Sequence, residues 1–189
     1  SPSTIKKNFT RASSFMKWCH EHGFCESNPL TGMSPKVSKK NKPRHPFSQE
    51  ELELIFKQDI FTKFNFKHDW QYWLPILSHA TGARMEELCQ LRGSDIKIHN
   101  KINYFDIKEQ EGTQLKNATS NRRIPIHAEV IRLGFLDFAQ TKKRNRLFKL
   151  EHYKSTKLGH EPSKWFGRFK RGLSFPDTVT YHSFRHTIR

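Results

Sequence analysis

Apolar residues recur every three or four positions over residues 4–25, where Ile5, Phe9, Ala12, Phe15, Met16 and Cys19 fall on one face of a predicted helix. Gly23 ends that run, and Asn28-Pro29 breaks the chain after it. Residues 34–46, SPKVSKKNKPRHP, are basic and Pro-rich, carry almost nothing to bury, and read as a linker. A second unit opens at Phe47. Ser48 with Glu51 three residues on forms a capping box, and Leu52, Leu54, Ile55 and Phe56 follow it. Trp70 to Ala80 reads as a buried helix carrying Trp73, Leu74, Ile76 and Leu77; Thr81-Gly82 breaks it, and a further helix runs from about Ala83 to Leu91. The period then shortens. Residues 102–107 and 122–126 read as strands, with turns at Gly112 and at 117–121, and Pro125 places the second strand at a sheet edge. Helices resume at about 128–140 and at 163–172, the latter capped by Ser163 with Trp165, Phe166, Phe169 and Leu173 on one face. A last helix starts near Tyr181. The order predicts a mainly α fold with a small antiparallel β-sheet, an α+β domain behind a separate helical piece.

Charge sharpens this outline. Across 189 residues the formal net charge is +16, and it is segregated. Residues 1–46 hold nine Lys/Arg against two Asp/Glu, residues 47–139 twelve against thirteen, and residues 140–189 thirteen against three. Two basic ends around a neutral middle point to a polyanion, because each neutralised phosphate releases condensed counterions. No apolar run approaches the ~18 residues of a membrane span, and no basic helix shows a lipid-seeking apolar face. Three Cys, at 19, 25 and 89, form no disulfide framework and point to reduced thiols and a cytoplasmic setting. Aromatic residues at 13% argue for a folded core in a chain of low apolar content.

Two segments could carry chemistry: Thr81-Gly82-Ala83-Arg84-Met85-Glu86-Glu87-Leu88 and His182-Ser183-Phe184-Arg185-His186-Thr187. Arg84 falls in the opening turn of a helix, where unpaired N–H groups and the dipole favour an anion, and its guanidinium can grip two oxygens. His182 and Arg185, three apart, project from one helical face. A fixed cation and a proton donor aimed at one point suit a phosphoryl centre. Singly, each residue has a plain structural role open to it: Arg84 with Glu87 as a surface pair, His182 as a helix cap. Together and in this order they outweigh those roles. Cys19-His20-Glu21-His22-Gly23-Phe24-Cys25 is too crowded for a zinc finger, whose ligand pairs stand about a dozen residues apart, and no metal site is expected.

TGARMEELCQLRGSDI resembles the first conserved box of the tyrosine recombinases, the phage-integrase family, and HSFRHT resembles its second box, His-x-x-Arg-His. LKNATSNRRIPIH resembles the family's β-hairpin, and residues 4–33, closing on Asn-Pro, resemble the end of its helical core-binding domain. The resemblance implies three parts: residues 1–33 as the C-terminal part of a core-binding domain, 34–46 as a basic linker crossing DNA, and 47–189 as a catalytic domain truncated at its C-terminus. It implies site-specific recombination, such as integration and excision of a phage, prophage or genomic island, through a 3′-phosphotyrosyl intermediate and without metal or nucleotide cofactor. Arg84 and Arg185 would hold the phosphate, His182 would assist proton transfer at the nucleophile, and Lys116 would protonate the leaving 5′-oxygen. Glu87 and His186 would support them. Lys39, Lys40, Lys42 and Arg44 in the linker, Arg122 and Arg123 on the hairpin, and Lys164 and Arg168 on the helix before the second box would meet DNA. Partners implied are a double-stranded attachment site, a homotetramer on two sites, and accessory DNA-bending proteins, with no membrane.

The family's nucleophilic Tyr lies tens of residues after the second Arg. None of Tyr72, Tyr104, Tyr153 and Tyr181 has that position, so these residues are expected to bind DNA without forming the phosphotyrosyl bond. The alternatives are a non-catalytic DNA-binding protein of the same fold and a type IB topoisomerase-like enzyme. RNA binding by stacked Phe is a weaker reading, because the Phe residues follow core spacing.

Overall fold

A computed structural model describes residues 2–36, 44–109, 121–143, 145–151 and 157–188. The chain divides into two compact units, residues 1–43 and 44–189. In the first, α1 (Pro2–Glu21) buries none of its residues. Its end is held by an aromatic stack: the Trp18 ring lies 4.4 Å from His22 and 5.5 Å from Phe24. The helix stops short of residue 25 because Gly23 turns left-handed at φ +75°. Asn28 then accepts the Leu30 N–H at 2.9 Å, closing a turn on Pro29. His20 and His22 face main-chain carbonyls, and among the described residues no three His, Cys, Asp or Glu gather as a ligand set.

The second unit is built on α4 (Asp69–Thr81), whose Trp70, Tyr72, Trp73, Leu74 and Leu77 are buried. Around it pack α3 (Asp59–Thr62), α5 (Met85–Gln90), α6 (Ala128–Arg132) and α9 (Ser183–Thr187). Before them, α2 (Gln49–Phe56) starts at the expected capping box: Ser48 Oγ accepts the Glu51 N–H and Glu51 accepts the Ser48 N–H. Strands β1 (Ile96–His99), β2 (Ile102–Ile107) and β3 (Arg122–Pro125) form one antiparallel sheet in that order. Phe105 pairs with Ile96 and Ile124, and Phe105 and Ile107 bury the inner face. The first hairpin turns on Asn100 and Lys101, both left-handed.

Three expected elements differ. Residues 128–140 are not one helix, because Gly134 at φ +86° separates α6 from α7 (Phe135–Thr141). Strand β1 was not foreseen; it shows mostly exposed positions and so no buried alternation. The helix expected at 163–172 is α8 (His160–Gly172), one turn longer, so Ser163 lies inside it and does not cap it. Its start is held from a distance: Glu86 accepts the N–H groups of Leu158 and Gly159, each at 2.8 Å. A Cβ on Gly159 would stand 2.9 Å from the Glu86 carboxylate, so a larger residue here would make that side chain shift.

Candidate phosphate site

Helix α4 ends at Gly82, which adopts φ +60° and turns the chain into α5. Arg84 is the N-cap of α5, one position before its first turn. Its backbone N–H and its Nη1 both donate to Glu87 at 2.8 Å. From β3, Arg122 donates to the same carboxylate through Nη2 at 2.7 Å and Nη1 at 3.3 Å. The Glu87 side chain is 3% exposed. Burial alone would raise its pKa, but the hydrogen bonds from Arg122 and Arg84 outweigh that and hold it below the ordinary carboxylate value. Glu87 therefore stays ionised and fixes both guanidinium planes. Arg122, expected at a phosphate, directs these nitrogens inward; Arg123, on the opposite face of β3, lies over the Tyr104 ring at 5.3 Å.

The second box arrives on α9. Phe184 is fully buried, and its ring lies 4.7 Å from Phe47. The Phe47 N–H donates to Thr187 Oγ1 at 3.0 Å, tying the start of this unit to α9. Arg185 Nη1 donates to the Gly82 carbonyl at 2.6 Å, so the two boxes, a hundred residues apart in sequence, meet through one hydrogen bond. His182 is exposed, with the His186 ring edge-on at 4.8 Å. Partial withdrawal from water, then the charges of His186, Arg185, Arg44 and Arg84, hold the His182 pKa below the ordinary histidine value. Ahead of it, Tyr181 is buried with its hydroxyl 2.8 Å from Ser78 Oγ, and burial pushes its pKa up.

A cavity of about 250 Å³ opens here, lined by Arg44, Ser163, Thr180, His182 and Arg185 among others. No Asp or Glu stands among the described residues of its lining. Lys164 and Arg168 lie exposed on α8. Lys39, Lys40, Lys42 and Lys116 fall outside the described residues. The structure thus brings together Arg84, Glu87, Arg122, His182, Arg185, His186 and Arg44. Sequence reasoning missed Glu86 and Lys170. Lys170, with its side chain 8% exposed, donates to the carbonyls of Pro176 and Val179 at 2.9 and 2.7 Å, holding the loop that delivers His182. Neither had a local signal, since one acidic residue beside Glu87 and one Lys in a basic helix look ordinary.

This architecture is the fold of tyrosine recombinase catalytic domains. It superposes on the Tn1549 transposon integrase (residues 82–397) in complex with circular intermediate DNA at a TM-score of 0.70, with 22% identity over 99% of this chain and 65% of that one. It superposes on a lambda integrase dimer bound to a COC′ core site at 0.64, with 19% identity over 98% of this chain and 51% of that one. In sequence the chain is similar to the tyrosine recombinases XerC of Bacillus pumilus and Bacillus licheniformis, 30% identical to each over 95 residues. That match spans half of this chain and 30% of each relative's length. No family model matches.

Proposed function

We propose that the protein is part of a site-specific DNA recombinase and that the cavity beside His182 receives a DNA phosphodiester. The observation that supports this best is the bond from Arg185 to Gly82, which joins the second box to the turn that opens the first, beside a cavity lined by His182, Arg185, Ala83 and Met85 in a recombinase fold. In the reaction a Tyr hydroxyl attacks phosphorus, the bond to the 5′-oxygen breaks, and a 3′-phosphotyrosyl link forms. Arg84 and Arg185 stabilise the charge on the non-bridging oxygens, and His182 takes the Tyr proton. Lys116 gives a proton to the 5′-oxygen. A 5′-hydroxyl of a second strand reverses these steps, so no external energy source is needed.

The nucleophile in this reading is a Tyr outside these residues. Tyr72 and Tyr181 are buried in the core, Tyr104 lies under Arg123, and Tyr153 falls outside the described residues. The 189 residues bind double-stranded DNA through Arg123, Lys164, Arg168 and the linker cations, in the cytoplasm, and the whole protein works as a homotetramer on two attachment sites with accessory DNA-bending proteins. The test uses the full-length protein and a nicked duplex that traps cleavage. The expected result is a covalent adduct mapped to a Tyr, suppressed about tenfold or more by Arg84→Ala or Arg185→Ala, each of which removes a charge-assisted contact strongest in the transition state. Tight binding with no adduct, or full activity in Arg84→Ala, would overturn the proposal.

A further inference from the structure

We infer that Arg44, at the linker end of the second unit, is a phosphate-holding residue of the cavity and completes the cation set begun by Arg185 and His182. The inference rests on reading that cavity as a phosphodiester site. Arg44 shares its lining with His182 and Arg185, although 138 positions separate it from the nearer of the two. Its placement has a cause. Three residues on, Phe47 is pinned twice to α9, by its ring against Phe184 and by its N–H on Thr187. These two contacts flank Arg185. Three extended residues span at most ~10 Å, so the anchor keeps Arg44 beside α9 whatever path the preceding chain takes. Pro46 stiffens the interval.

The electrostatics agree with the geometry, since the Arg44 charge is felt at the His182 imidazole. A phosphodiester carries its charge on two oxygens. Arg185 has one nitrogen committed to the Gly82 carbonyl, and a second planar fork lining the same cavity suits further acceptor positions of the phosphate. A basic residue that merely tracked the duplex would serve anywhere along the linker. One that lines the cavity instead adds its charge at the site itself, where the Phe47 anchor holds it.

The experiment follows the imidazole signal of His182 by NMR in this chain while inorganic phosphate is added, and then across pH. In the wild type, phosphate should shift that signal saturably. Arg44→Ala should weaken phosphate binding about tenfold, the low end for a lost charge-assisted contact, and should raise the His182 pKa because a positive neighbour is gone. Arg44→Lys should keep the low pKa and regain only part of the affinity. Arg132→Ala, which removes an exposed cation paired with Glu129 on α6, should change neither. Unaltered phosphate affinity and an unmoved His182 pKa in Arg44→Ala would overturn the inference while leaving the phosphodiester reading intact. A wild-type His182 indifferent to phosphate would overturn that reading, and the inference with it.

Discussion

Positive charge is held in two different ways near the start of α5. Around Glu87 the cations already have their anion: Arg84 and Arg122 converge on one buried carboxylate at 2.7 to 3.3 Å. Around the neighbouring cavity, Arg44, His182 and Arg185 face a space whose described lining offers no carboxylate. In the first cluster a buried carboxylate holds its cations in position; in the second the cations line an open space. Counting Arg and Lys would not separate them; the position of one glutamate does.

The largest effect should come from breaking the first cluster. Glu87→Ala leaves two guanidinium groups facing each other without their counterion, and should cost about 3 kcal/mol in denaturant unfolding, the low end for a broken buried pair because both cations keep some water. Loss of less than ~0.5 kcal/mol would put Glu87 on the same footing as a surface residue. Glu86→Ala should cost about 1–3 kcal/mol, since it strands the Leu158 and Gly159 N–H groups at the start of α8. Proteolysis near residue 157 is a second readout, expected to rise. Acid should make the Glu87 break reversibly. Its folded pKa lies below the unfolded value, so its contribution is complete above the ordinary carboxylate range and is lost as pH falls through the folded pKa. Unfolding midpoints from pH 6 to pH 3 should therefore fall more steeply in the wild type than in Glu87→Gln. The smallest change belongs to the exposed surface: Arg168→Ala should leave stability within ~0.5 kcal/mol and lower the salt slope of duplex binding by about 0.9. An unchanged slope would remove Arg168 from the DNA face.

What could be read from the sequence was whatever is local. The Ser48–Glu51 capping box, the buried face of α4 and the edge position of β3 follow from neighbours three or four residues away, or from the one residue Pro125. The break at Gly134 was hidden because Val130, Leu133 and Phe138 keep a helical spacing across it, while the left-handed turn depends on backbone conformation alone. The α8 cap was misplaced onto Ser163 because the real acceptor, Glu86, is more than seventy residues upstream. The two boxes singled out His182 and Arg185, which line the cavity, and Arg84, which is bonded to Glu87, by residue type and order. That Arg122 turns inward while Arg123 turns outward depends on sheet register, and the place of Arg44 depends on how Phe47 docks, so neither could be read in advance.

The meeting of the two boxes has a consequence for how such a chain tolerates change. Arg185 finds its acceptor in a main-chain carbonyl, and a main-chain oxygen cannot be deleted by substitution. Sequence around α4 can drift widely while the oxygen stays in place, provided residue 82 accepts a left-handed turn. The half of the link that mutation can reach is then a glycine's conformation and one arginine. An alanine scan of this region would record Gly82 as a residue without a side chain to lose, yet it carries the acceptor on which the second box is aligned.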